Sequence, residues 1–157
     1  MVTKNRWKYF YRFFDGIFYS HLPKKLNFER FQIIVMAKLF FLVFLGGGLG
    51  SVIRYGIGSL LAQTSSTFPF ATFGVNILGS LLIGVFWAIP AIADKNTYLC
   101  LLIVGFCGGF TTFSAFSWEN LTLLKQGEVF LFFAYVLLSV SLCLLATWGG
   151  YAIGKQL

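Results

Sequence analysis

The sequence has few charged side chains, and acidic ones are the scarcest. Of 157 residues only 11% are charged, five are Asp or Glu, and one is His. A soluble domain carries about 25% charged residues, so this chain has too few to cover a surface exposed to water. Disorder is excluded as well, because disordered chains combine low hydrophobicity with high charge, whereas 58% of these residues are hydrophobic. The composition predicts one small membrane domain.

The shortage of acids and histidine also excludes most enzyme chemistry. The single histidine is His21, and the acids after residue 38 are Asp94, Glu119 and Glu128. No Ser-His-Asp set, Cys-His pair or close carboxylate pair is available for acid–base work. The three cysteines lack the paired spacing of a zinc site. We therefore expect a protein that is not an enzyme.

The net charge of +7 is concentrated near the N-terminus. Residues 1–38 contain eight Lys and Arg against two acids, a balance of +6, and residues 39–157 contain four against three, a balance of +1. Since the hydrophobic part has no basic face to display, we expect no nucleic-acid partner.

Four stretches are long and apolar enough to cross a bilayer core of about 30 Å, which takes about 20 helical residues. They are residues 39–62, 70–93, 98–124 and 129–153. Because backbone polar groups must be satisfied internally in lipid, all four are expected to be helices. The sequence therefore predicts an all-α membrane protein with four transmembrane helices in a lipid bilayer. The positive-inside rule weakly favours cytoplasmic termini.

The third span has poor helix formers at its centre. Gly108 and Gly109 are followed closely by Thr111 and Thr112. We predict that this helix breaks at mid-membrane, where freed carbonyls can hold a cation and the positive end of the next half-helix can face an anion. Either threonine could cap that half-helix. Close helix packing through a face of small residues is an equally good interpretation of the glycines.

Candidate anion ligands follow the predicted break. Phe113 and Phe116 are one helical turn apart, and aromatic ring edges carry partial positive charge that can face a small anion. Asn76 offers an amide donor between two glycines of the second span. Arg54, in the first span, could concentrate anions in a vestibule. Further polar side chains lie on one face of the fourth span: Tyr135, Ser139 and Cys143.

Residues 38–157 resemble the Fluc/CrcB family of small fluoride channels. The most specific match is Gly-Gly-x-Thr-Thr-Phe-Ser-x-Phe-Ser at residues 108–117, and residues 46–54 and 74–84 also match. The resemblance implies a dual-topology dimer of four-helix subunits packed antiparallel, with two fluoride pores and a structural sodium ion at the dimer interface. The partner is then a second copy of the chain or an oppositely oriented paralogue.

The resemblance also implies roles for individual residues. The backbone carbonyls of Gly108 and Thr111 resemble the sodium ligands. Ala115 departs from the family pattern, which usually has threonine there, and Cys143 stands where a hydroxyl is expected. The fluoride pathway would comprise the two fluoride-facing rings, the pore asparagine, the polar track and the vestibule arginine: Phe113, Phe116, Asn76, Thr112, Ser114, Tyr135, Ser139 and Arg54.

The expected function is passive export of cytoplasmic fluoride through the plasma membrane, driven by an inside-negative potential. Two alternatives remain open at this point. A proton-coupled small multidrug-type transporter would need a buried carboxylate, for which only Glu119 qualifies. A structural membrane subunit would need neither aromatic ring.

The basic, aromatic residues 1–37 form a predicted N-terminal arm ahead of the channel domain at residues 38–157. The arm could be an amphipathic helix on anionic lipid. Alternatively, translation could start at Met36. Because a charge of about +6 would fix the orientation of an otherwise near-neutral body, we expect Met36 to be the start or the arm to be dispensable.

Overall fold

A computed structural model describes residues 28–62, 66–89 and 95–157. Most of the predicted arm, including residues 1–27, lies outside these ranges, so its role stays a prediction. Regular structure in the described ranges is entirely helical. The elements are α1 (Phe28–Leu61), α2 (Phe70–Ala88), α3 (Lys95–Tyr98), a π-helix (Leu99–Cys107), α4 (Gly108–Phe110), α5 (Phe113–Lys125) and α6 (Val129–Gly154).

Four helical spans are long and apolar enough to cross a membrane: Arg30–Leu61, Phe70–Ala88, Asn96–Lys125 and Val129–Gly154. The prediction of an all-α protein with four such helices is confirmed. Two boundaries differ from the prediction. The first helix begins at Phe28, because residues 31–38 contain no glycine or proline to stop it. The second ends at Ala88, since Ile89 precedes a proline and adopts an extended conformation.

The third span is not a uniform α-helix. Residues 99–107 are π-helical, and the Gly108 N–H is bonded to the carbonyl of Ile103, five residues earlier. After Phe110 the backbone becomes extended, with ψ of 157° at Thr111 and 117° at Thr112. The next helix then begins at Phe113. Composition gave no sign of the π-helix.

Glycines allow the helices to approach closely. A Cβ on Gly84 of α2 would lie 2.2 Å from the carbonyl oxygen of Thr147 of α6, and one on Gly46 of α1 would lie 2.1 Å from that of Leu101. Side chains cannot be accommodated at such distances, so the glycines are needed for packing. Small-residue packing in membranes brings backbones together in this way.

The interior of residues 38–157, which form one compact unit, is small. Val75, Cys107 and Tyr135 are its most completely buried large side chains. Many large apolar side chains are exposed instead, among them Phe44 and Phe130. An outer surface of this kind suits lipid or a second membrane chain rather than water.

Candidate functional site

The extended segment between α4 and α5 is held by Asn76 of α2. Asn76 Nδ2 donates to the carbonyl oxygen of Thr112 at 3.1 Å, and the Thr112 N–H donates to Asn76 Oδ1 at 2.8 Å. One side chain thus satisfies both backbone groups of a residue outside the helices, which is what a low-dielectric environment demands. Gly79, one turn further along α2, leaves room for Thr111, since a Cβ there would lie 2.2 Å from Thr111 Cγ2.

The two threonines have different tasks. Thr112 Oγ1 accepts the Ala115 N–H at 3.2 Å and caps α5, which confirms one of the two predicted caps. Thr111 instead closes the preceding helix, because its N–H and its hydroxyl both donate to the Cys107 carbonyl, at 3.0 and 2.9 Å. Ser114 Oγ lies 3.2 Å from Thr112 Oγ1 and is exposed.

A cavity of about 530 Å³ adjoins this segment and brings together most of the predicted site. Its wall is largely apolar, with a few polar groups from α2, the third span and α6. The predicted residues that line it are Asn76, Gly108, Thr111, Thr112, Phe113, Phe116, Ser139 and Cys143.

The aromatic rings form a continuous row at one side of the cavity. The centroids of Phe113 and Phe116 are 5.6 Å apart, and those of Phe116 and Tyr135 are 5.0 Å apart. Phe113 is 79% exposed in the single chain, whereas Tyr135 is fully buried. The structure therefore places Tyr135 behind Phe116, outside the set of residues that line the cavity.

Glu119 joins three helices behind these rings. Its Oε1 accepts the Thr72 hydroxyl at 2.5 Å, and its Oε2 accepts the Tyr135 hydroxyl at 2.7 Å. Sequence reasoning considered Glu119 only as an acid for proton coupling and did not single out Thr72. The available signal was that Glu119 follows Phe116 by three residues, so that it lies on the same face of α5.

Ser139 of α6 has a buried hydroxyl without a partner. The residue is 6% exposed and lines the cavity, and its Oγ has no hydrogen-bond partner among the described residues. A buried polar group usually has a partner. This hydroxyl is therefore available to a ligand in the cavity.

Arg54 lies apart from the main cavity. It lines a second cavity of about 290 Å³, whose wall also includes Thr112 and Thr72. Its Nε donates to the carbonyl oxygen of Gly109 at 3.1 Å, and Ser51 Oγ donates to the same oxygen at 3.3 Å. Sequence reasoning did not single out Ser51.

The site offers oxygen ligands rather than a side-chain metal cluster. Among residues 28–62, 66–89 and 95–157 no group of three or more His, Cys, Asp or Glu could hold a metal ion. Gly108 and Thr111, the predicted sodium ligands, both line the main cavity. Backbone carbonyl oxygens are hard donors of the kind that hard cations prefer.

Comparison with known proteins shows the family of the chain. The profile described as "CrcB-like protein, Camphor Resistance (CrcB)" matches residues 41–151. The chain belongs to the CrcB family. Curated relatives include a fluoride-specific ion channel FluC of Flavobacterium psychrophilum, 48% identical over 123 residues, which are 76% of this chain and 99% of the relative. A second FluC, from Phocaeicola vulgatus, is 49% identical over 115 residues, which are 72% of this chain and 95% of that relative.

Proposed function

We propose that this CrcB-family chain is a fluoride-selective ion channel of the plasma membrane, through which cytoplasmic fluoride leaves passively. The observation that carries the proposal is the pairing of Asn76 with the Thr112 backbone beside a cavity lined by Phe113 and Phe116. The relatives named above are fluoride-specific channels. An inside-negative potential supplies about 2.3 kcal/mol per charge per 100 mV, so export needs no nucleotide.

The cavity has the groups that a dehydrated small anion requires. The edges of the two phenylalanine rings are partially positive, and α5, with 13 residues, begins at Phe113 with its positive dipole end. The Ser139 hydroxyl can donate a hydrogen bond to an ion in the cavity. In our proposal the anion passes along the Phe113–Phe116 face, and the Thr111–Thr112 interruption lies at mid-membrane, near the centre of the Asn96–Lys125 span.

The proposed assembly is an antiparallel dual-topology homodimer. Phe113 supports it, because a ring that is 79% exposed in one chain would be covered by a second. The near-neutral balance of residues 39–157 supports insertion in both orientations, since the charge bias that fixes topology is weak. A heterodimer with an oppositely oriented paralogue remains the alternative.

A sodium ion at the dimer interface fits the donor chemistry. The proposed ligands are the carbonyl oxygens of Gly108 and Thr111, which are hard donors. A hard cation takes about six oxygen ligands, so two carbonyls from one chain are too few, and the same pair from the second copy would raise the number to four. In this role sodium would hold the two chains together.

The deciding experiment is fluoride efflux from liposomes that contain the purified full-length protein, under a potassium-set potential. We expect rapid fluoride release and no chloride release. Replacing sodium by N-methylglucamine tests the sodium proposal separately. A protein that releases no fluoride with sodium present would overturn the channel proposal, whereas equal release in both buffers would overturn only the sodium role.

A further inference from the structure

Two side chains of α1 converge on one carbonyl of the third span. Arg54 Nε donates to the Gly109 oxygen at 3.1 Å, and Ser51 Oγ donates to it at 3.3 Å. Gly109 lies two residues before Thr111, where the backbone becomes extended. Fixing this carbonyl therefore restricts where the extended Thr111–Thr112 segment can lie.

The convergence depends on close contact between α1 and the third span. A Cβ on Gly109 would lie 2.3 Å from the carbonyl oxygen of Gly47, and a Cβ on Gly50 would lie 2.3 Å from that of Phe106. Glycine at both positions lets the two backbones approach. At this separation even the short side chain of Ser51 reaches the carbonyl.

We propose that Arg54 is a positioning residue that acts through its Nε, together with Ser51, to fix the Gly109 carbonyl and hence the Thr111–Thr112 segment. Arg54 is not among the residues that line the main cavity, although it lines the smaller one together with Thr112. A charge-assisted hydrogen bond of this kind is stronger than a neutral one. Its role is to hold the backbone rather than to concentrate anions by charge.

A matched set of variants separates the two roles. In Arg54→Gln the amide Nε2 is bonded to Cδ and can take the place of arginine Nε. Arg54→Met puts a methyl group at the same place. Both variants are neutral. Arg54→Lys keeps the charge but has carbon at that place. If Nε positions the backbone, Arg54→Gln retains most of the fluoride flux. Arg54→Met and Arg54→Lys lose about tenfold, the factor expected for one charge-assisted hydrogen bond. An active lysine variant with an inactive glutamine variant would assign the role to charge and overturn the proposal.

Ionic strength gives a second discrimination. The Debye length falls from about 30 Å at 0.01 M salt to about 3 Å at 1 M. A charge that concentrates anions would therefore matter less in high salt. Positioning predicts the same ratio of wild-type flux to Arg54→Met flux at both concentrations, and a ratio that falls towards one would overturn it.

Hydrogen exchange provides a readout that needs no flux. The flux comparison rests on the proposed fluoride conduction, but protection of the Thr112 amide, which donates to Asn76, does not. In intact protein we expect this amide to exchange faster in Arg54→Met and Arg54→Lys than in wild type and Arg54→Gln. If Arg54→Met is not recovered folded, the glutamine and lysine variants decide alone, and equal exchange in these two would overturn the proposal.

Discussion

Asn76 satisfies both backbone groups of Thr112, donating to its carbonyl at 3.1 Å and accepting its N–H at 2.8 Å. A primary amide carries both an NH2 donor and a carbonyl acceptor, so one side chain can do both at once. A polar residue in the middle of α2 is thus explained by the interruption of another helix. The contact holds the residue directly before α5, so the proposed anion pathway would depend on it.

Asn76→Leu should therefore destabilise the protein and abolish conduction. The change leaves two backbone groups without partners, at about 1–3 kcal/mol each. Thermal unfolding in detergent should show a lower midpoint, and liposome efflux should stop. Asn76→Asp retains the acceptor but not the donor and should fall between leucine and wild type in stability. A leucine variant as stable as wild type would contradict the role of Asn76.

Phe113→Ile and Phe116→Ile should each lower fluoride flux by about tenfold or more, equivalent to about 1.4 kcal/mol of lost stabilisation for the ion in transit. The reason is that isoleucine has no positively polarised ring edge. Phe130→Ile is the matched control, since Phe130 is 83% exposed and lies outside the cavity lining. Unchanged flux in the first two variants would show that the ion does not use these ring edges.

Hydropathy and helix-breaking residues predicted the parts of the fold that depend on local sequence. The four spans follow from apolar runs, and the change at Thr111 follows from the cluster of glycine and threonine. The π-helix did not follow from the sequence, and the structure places it against α1, where Gly46 meets Leu101. Sequence also placed Arg54 in a vestibule, whereas its bond to Gly109 becomes visible only when two helices are positioned together.

The contacts of Glu119 could not be predicted from the sequence either, because they join helices that are distant in the chain. Thr72 and Glu119 are 47 residues apart in the chain, and only the folded structure brings them to 2.5 Å. A hydroxyl and a carboxylate can form a hydrogen bond, but nothing in the spacing of Thr72 and Glu119 predicts that they meet. The family resemblance placed Tyr135 and Phe116 in the same predicted fluoride pathway. The sequence did not predict that Tyr135 lies behind the Phe116 ring, outside the cavity lining.

Glu119→Gln should reduce both the fluoride flux and the stability of the fold, because Glu119 holds helices together rather than carrying protons. Glutamine replaces one of the two carboxylate oxygens by an NH2 donor, so one of the Thr72 and Tyr135 hydroxyls, which donate to separate oxygens, loses its acceptor. Loss of one charge-assisted bond costs about 1.5–3 kcal/mol. Glu128→Gln is the control, because Glu128 is exposed and its side chain does not cap α6.

The same variant separates the channel from a proton-coupled transporter. In liposomes with an imposed pH gradient and no membrane potential, wild-type protein should drive no uphill movement of organic cations. Proton-driven accumulation that Glu119→Gln abolishes would instead support the transporter.

Ser139→Ala should separate conduction from stability more cleanly than any other change. The Ser139 hydroxyl is buried without a partner among the described residues, so its removal relieves an unsatisfied polar group and should leave the unfolding midpoint unchanged or raised. If the hydroxyl serves a passing anion, flux should nevertheless fall by about threefold to tenfold, the effect of one neutral hydrogen bond of about 0.5–1.5 kcal/mol. Ser139→Thr, which restores the donor, should recover part of that loss, and Ser141→Ala on the exposed face of α6 should change neither quantity. A Ser139→Ala protein with normal flux would show that the ion does not use this side of the cavity.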